Sequence, residues 1–400
     1  MLKTRHSLAR RTDFQSVLQS PAVHVRDGLK IRPTAGRAAF SMVELMVVIA
    51  IVGILATITT SAAIAILGQQ KSTNTETVIK TISSALDQRW RAVVNQARTE
   101  TIPSTILTKL LAMAGQNDRR ARIIWIKLRL KQEFPMNFTE ASDPWSLPSS
   151  PPTTNYYSLP TASTYALQLS DIPSGFTYSK FKNDLTQAGV SSTSFSSDPK
   201  TWPFESAALL ILALRKGASG NPFDEEKMAA NYVQTASGVP KVAQGVNLKV
   251  LLDAWGQPLV FYRWPVNDEV NNSNPAGATS KNNDPLDPEG LLLDPTWNNW
   301  NNFRNLQGVF WFEQYCHPIK VGNAREPQSY SPKSYYMVPV IASAGRNNKL
   351  GLAQSPVPFP PFTGQFCSSP QLPDLMSSDG TADSYDNIYS IRLRQGARGD

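Results

Sequence analysis

Residues 45–67 run for 23 positions without one charged side chain, and from 45 to 58 only Thr57 is neither apolar nor glycine. At about 1.5 Å per residue, a helix of that length reaches across a hydrocarbon layer about 30 Å thick. The run therefore predicts one membrane-crossing helix. A buried helix of a soluble domain seldom stays uncharged for so long. A secretory signal would have an apolar core of about 7–15 residues and a small-residue cleavage site, for which only Ser61-Ala62-Ala63 offers itself. Charge placement supports a spanning helix. Residues 1–39 hold eight basic and two acidic side chains, a net +6 out of the chain's +8. A basic arm ahead of an apolar run is a topology signal, and it predicts a cytoplasmic N-terminus with everything after Leu67 on the far side.

The junction between arm and helix is more specific. Gly36-Arg37-Ala38-Ala39-Phe40-Ser41-Met42-Val43-Glu44-Leu45-Met46, leading into the apolar run, resembles the class III signal of type IV pilins and type II secretion pseudopilins. The resemblance implies cleavage by prepilin peptidase between Ala39 and Phe40, N-methylation of Phe40, and retention of the apolar helix. Glu44 then stands at the family's fifth mature position, and Gly53 matches a glycine common later in the stretch. Ala39 stands where Gly is usual before the cut, the 39-residue leader is long for the family, and Ser61 stands where many members have Pro. Glu44 also has a physical reading of its own. An acidic side chain at the centre of a membrane segment costs about 2.5–3.5 kcal/mol, less near its end, so it persists with a partner or a purpose. Cleavage would create an ammonium on Phe40, four residues before Glu44 and on the same helix face, so each can neutralise the other.

No Pro occurs between Pro33 and Pro103, and Ile79, Ile82, Leu86, Trp90, Val93 and Ala97 recur at steps of three and four. One helix is expected from residue 40 to about 98, amphipathic in its second half, with Gly68 and residues 72–75 as the places where it could break. Pro103 is placed to start a second helix that Gly115 ends. Residues 118–131 read as a basic amphipathic helix whose charges form a solvated face, and the eight Pro of residues 139–204 read as an irregular surface loop. Residues 207–214 read as a short apolar helix. Asp253-Ala254-Trp255-Gly256-Gln257-Pro258 reads as a turn into a strand, with Trp255 as a core anchor. Further strands are expected at 309–312, 335–341 and 387–393.

A second resemblance lies near the C-terminus. Pro339-Val340-Ile341-Ala342-Ser343-Ala344-Gly345-Arg346-Asn347-Asn348-Lys349-Leu350-Gly351 is similar to the strand and Ser-x-Gly turn of the major pseudopilin, and Asp383-Ser384-Tyr385-Asp386-Asn387-Ile388-Tyr389-Ser390 to its acidic closing segment. Such loops bind calcium in that family, which implies Ca²⁺ held by Asp379, Asp383, Asp386 and Asn387; hard oxygen donors of this kind suit the ion. The alternative is an Asx-rich turn that satisfies its own backbone. Cys316 and Cys367 are the two cysteines, and outside the cytoplasm they are expected to form a disulfide. Three His leave no zinc set, and no GxSxG, HExxH, Walker loop or GxGxxG in a strand-to-helix setting occurs.

These observations predict an α+β, pilin-like chain: a long N-terminal helix, membrane-spanning in its first half, packed on a small antiparallel sheet domain with helical and loop insertions. Its expected parts are a leader (1–39), the transmembrane half of the helix (40–68), its amphipathic half (69–98), a helical and Pro/Ser-rich insertion (99–204) and a β-rich domain (205–400). The expected function is that of a structural subunit, not an enzyme, in a type II secretion pseudopilus or type IV pilus-like filament at the inner membrane. Its expected partners are prepilin peptidase, other subunits, the assembly platform and lipid, with no nucleic acid. The alternative is a membrane-anchored extracellular hydrolase or ligand-binding protein that uses the helix only as an anchor.

Overall fold

The computed structural model describes residues 41–145, 180–190, 202–215, 232–235, 247–263, 284–292, 339–350 and 386–390, with isolated positions between them. The chain divides into two compact units, residues 1–62 and 63–400.

Helix α1 (Met42–Thr99) is one uninterrupted helix of 58 residues, unbroken at Gly68 and at 72–75. In the first unit it is exposed all round; Met42 is 75% and Val48 49% exposed, and the other large apolar side chains there lie between them. In the second unit burial sets in at Thr75 and recurs at Val78, Ile79, Ile82, Leu86, Trp90, Val93 and Ala97, the stripe that the sequence period predicts. Sequence-local rules also set the next two helices. Pro103 precedes α2 (Ser104–Met113). Gly115 closes it at φ 63°, with the Gln116 N–H donating to Leu111 O at 2.8 Å, a Schellman-type stop. Asn117 then caps α3 (Asp118–Glu133), its side chain accepting from the Arg120 N–H at 3.0 Å.

The charges of α3 are not a solvated face. Residues 123–133 are buried without interruption, and Arg120 joins them. Lys127 pairs with Asp284, Arg120 with Asp294 at 2.9 Å, Arg129 with Glu100 at 2.9 Å and Lys131 with Glu140 at 3.8 Å. Glu133 receives Arg89 at 2.6 Å and Lys180 at 2.5 Å. The reason is distance along the chain: the carboxylates come from α1's end, from α4 (Phe138–Ser142) and from residues 284–294, which a window over α3 cannot contain. Buried charges persist when paired and hydrogen-bonded, and from residue 123 onward α3 is accordingly buried on every side, while Asp118 and Arg119 in its first turn are exposed. Burial still pushes the Lys131 and Lys180 amines below their ordinary range, with Glu140 and Glu133 opposing.

Two more helices, α5 (Lys182–Gln187) and α6 (Trp202–Arg215), precede the sheets. Strands β1 (Val233–Thr235) and β2 (Lys249–Leu251) form an antiparallel pair. A three-stranded antiparallel sheet runs β3 (Val260–Tyr262), β4 (Val340–Ser343), β5 (Ile388–Tyr389), with Phe261 opposite Ile341 and Ala342 opposite Tyr389. Alternation sorts its side chains: Phe261 and Ile341 join the main core, while Val260, Tyr262, Val340, Ala342 and Tyr389 form a second cluster. The main core also takes in α2, α3 and α6. The α+β expectation holds.

Three local expectations need correction. Val309 and Phe312 belong to a helical turn rather than a strand; a spacing of three puts both on the buried side, and Gly308 leaves no room for a Cβ, which would stand 2.1 Å from Met113 O. Among the described residues of the last expected strand, Ile388–Tyr389 is extended, and Ser390 and Leu393 are helical. Trp255 is half-buried and anchors no core; its turn is closed instead by Asp253, whose Oδ1 accepts from the N–H groups of Trp255 at 2.9 Å and Gln257 at 2.8 Å.

Candidate functional site

Helix α1 opens with a reciprocal cap. The Ser41 N–H donates to Glu44 Oε2 at 2.9 Å, and the Glu44 N–H donates to Ser41 Oγ at 3.2 Å. This is the Ser-x-x-Glu capping box, which satisfies two of the donors that a helix start leaves open, with the carboxylate at the positive end of the helix dipole. Glu44 stands out in the sequence by its charge and by its place in the motif; Ser41, three residues before it, is the partner that the structure adds. Ala39 and Phe40 lie outside the described residues, so their roles pass to the proposal below. Covalent connection alone puts Phe40 next to Ser41, whose N–H the carboxylate already holds.

Beyond the cap the helix meets the demands of lipid. Its few polar side chains satisfy themselves: Thr57 donates to Ile54 O at 2.7 Å, Thr60 to Ala56 O at 2.7 Å and Ser61 to Thr57 O at 2.8 Å. No hydroxyl in that cluster needs water. The helix is long and apolar enough to cross a membrane, and none of its most apolar window is buried within the chain.

The second candidate site is the turn after β4. Ser343 Oγ donates to Asp253 Oδ2 at 2.6 Å and accepts from the Gly345 N–H at 3.1 Å. Asp253 is buried, and burial pushes its carboxyl above the usual carboxylate range despite these bonds. Asp386 Oδ2 accepts from the Asn347 N–H at 2.8 Å, and Asn387 Nδ2 donates to Leu350 O at 2.6 Å. Asp386 Oδ1 and Asn387 Oδ1 are left buried with no hydrogen-bond partner among the described residues. Two orphaned oxygens on consecutive residues are what a hard cation would satisfy. Asp379 and Asp383 lie outside the described residues, and no set of three or more metal-ligating His, Cys, Asp or Glu forms among those described.

Cys316 is fully buried, and burial pushes its thiol up to about 12 although Lys127, Lys131 and Arg263 favour the thiolate. Cys367, its expected disulfide partner, lies outside the described residues.

Residues 35–60 match the family model of the prokaryotic N-terminal methylation motif. No curated protein and no solved structure matches the chain. The matched residues include the cut, the capping box and Gly53; the likeness at 339–351 and 383–390 has no support beyond the residues themselves. The chain thus carries, at the head of a helix able to cross a membrane, the methylation motif typical of type IV pilins and pseudopilins, and that motif supports a pilin-like substrate of prepilin peptidase.

Proposed function

We propose that this chain is a structural subunit of a type II secretion pseudopilus or a type IV pilus-like filament. It is stored in the inner membrane with its basic arm in the cytoplasm, trimmed between Ala39 and Phe40, N-methylated, and polymerised through α1 with other subunits by the assembly platform. The observation that carries this reading is the apolar head of α1, wholly exposed within its own chain yet started by a capped carboxylate. An exposed apolar surface of that extent marks a lipid- or protein-binding face. The capping box uses the Ser41 N–H and not that of Phe40, so cleavage leaves it intact. Glu44 is thereby held one residue from the ammonium that hydrolysis creates, ready to neutralise it in the same subunit or a neighbour. The work is mechanical, and lipid, subunits and peptidase are the partners; nucleic acid is not among them.

Mass spectrometry of the protein from its native membrane tests this. The expected chain begins at Phe40 and carries one added methyl group. A chain beginning at Met1, or downstream of Ala63, overturns it.

We also propose that Asp386 and Asn387 hold a Ca²⁺ ion together with Asp379 and Asp383, which would tie the β4 turn to β5. Calcium at a hundredfold excess over its Kd should then stabilise the full chain by about 2.7 kcal/mol, and D386N should remove that gain. Thermal unfolding in detergent with calcium or chelator measures it, and an unshifted melting temperature in the unaltered protein sinks the site.

A further inference from the structure

Within the second unit the apolar stretch ends abruptly. Ile64, Ile66 and Leu67 are 53–65% exposed, and the next residue, Gly68, has a guanidinium beside it. Arg346 Nη1 lies 3.9 Å, and Cζ 4.0 Å, from where a Cβ on Gly68 would stand. Arg346 is exposed, and it rides on a built turn rather than a loose loop. Gly345 and Asn348 take φ of 65° and 59°, the Asn348 N–H donates to Gly345 O at 3.4 Å, and Asp386, two residues before β5, accepts from the Asn347 N–H. Lys349 is exposed on the same turn, and Lys71 is exposed three residues along α1 from Gly68.

Where the apolar run stops, at Leu67, the hydrocarbon stops. The headgroup zone adds about 5–7 Å on each side of the apolar layer, and Lys71 lies about 4.5 Å beyond Gly68 along the helix. Gly68, Lys71 and the guanidinium against Gly68 therefore fall at headgroup level whenever α1 spans the bilayer. Arg presents a planar fork that matches two phosphate oxygens at once, while Lys adds point charge.

We infer that Arg346, Lys349 and Lys71 form a docking surface for anionic phospholipid headgroups, seating the folded body where α1 leaves the membrane. The inference rests on α1 crossing the bilayer, as in the proposal above. The turn after β4 then serves as a foot: it couples the three-stranded sheet to the membrane surface while the subunit waits for assembly, and it must release lipid when the subunit is drawn out.

The test uses the full chain reconstituted in phosphatidylcholine vesicles, with spin-labelled phosphatidylglycerol or spin-labelled phosphatidylcholine as probe. The turn's share of the ratio of motionally restricted anionic to zwitterionic lipid should fall about thirtyfold in R346Q/K349Q, about fivefold for each of the two basic side chains removed from an anionic surface. R346K, which keeps the charge, should retain the preference. The basic arm of residues 1–39 adds the same contribution in all three proteins, so the difference between them reports the turn. An unchanged ratio in R346Q/K349Q overturns the inference while leaving the membrane helix intact. Failure of the unaltered chain to float with vesicles overturns both.

Discussion

Replacing Glu44 with Ala is expected to leave the precursor membrane-inserted and trimmed but to cut filament yield about a hundredfold. Two losses combine. The Ser41 N–H loses its acceptor, which costs the helix start about 1 kcal/mol. More costly, the ammonium on Phe40 loses its counter-charge in a subunit packed inside lipid or protein. An uncompensated charge at such depth costs about 2.5–3.5 kcal/mol, and each 1.4 kcal/mol is about a factor of ten. Glu44→Gln separates the two contributions, because its amide oxygen can still accept from Ser41 while the charge is gone. The measurement is the sheared-filament fraction against total mature protein. Assembly of E44Q at the unaltered level would show that the charge is not used, and full assembly of E44A would show that Glu44 has no part in assembly; the filament reading itself falls if the unaltered protein gives no sheared-filament fraction. A protein using the helix only as an anchor would lose nothing from either substitution.

The largest stability effect is expected at Glu140. Arg263 is fully buried and donates to Glu140 through both terminal nitrogens, at 2.9 and 2.6 Å, and to Phe134 O at 2.7 Å. Glu140 also faces Lys131 at 3.8 Å and accepts from the Met136 N–H at 2.7 Å. One carboxylate thus answers two buried cations. Glu140→Ala leaves both uncompensated and should cost about 3–5 kcal/mol, a large part of the 5–15 kcal/mol typical of a folded domain. Arg263→Met should cost less, because Glu140 keeps Lys131 and its backbone donor. A pH dependence follows with a definite sign. Burial holds the Lys131 amine below its ordinary 10.5, so between the lowered folded value and 10.5 the unfolded chain binds more protons and stability rises with pH. Removing Glu140, which raises that value, should widen the window downward. Urea unfolding of the full chain in detergent, followed by tryptophan fluorescence, reads both effects. Equal losses from E140A and R263M would show that Glu140 is not shared.

Some of this was legible in the residues and some was not, for physical reasons that differ by element. Val78 to Ala97 declared their buried face because a helix repeats every 3.6 residues and one neighbouring body suffices to cover the stripe. Gly115 declared a stop because a C-cap is local, and the Asn117 cap, found only in the structure, is as local. The Ser41–Glu44 pair was equally local, and its spacing carried more than the charge did. Val309–Phe312 was ambiguous because four apolar residues suit either strand or helical turn. The turn after β4 was partly legible: the Ser343 and Asp386 positions stood out, but their bonds to Asp253 and Asn347 span 90 and 39 residues.

Composition by itself determined the membrane helix, because lipid asks only for length and the absence of charge, conditions that need no partner elsewhere in the chain. Only the tertiary structure decided that the basic stretch of α3 faces inward. The desolvation of Lys127, Arg129 and Lys131 is offset by carboxylates from residues 100, 140 and 284, and nothing along α3 announces that they arrive.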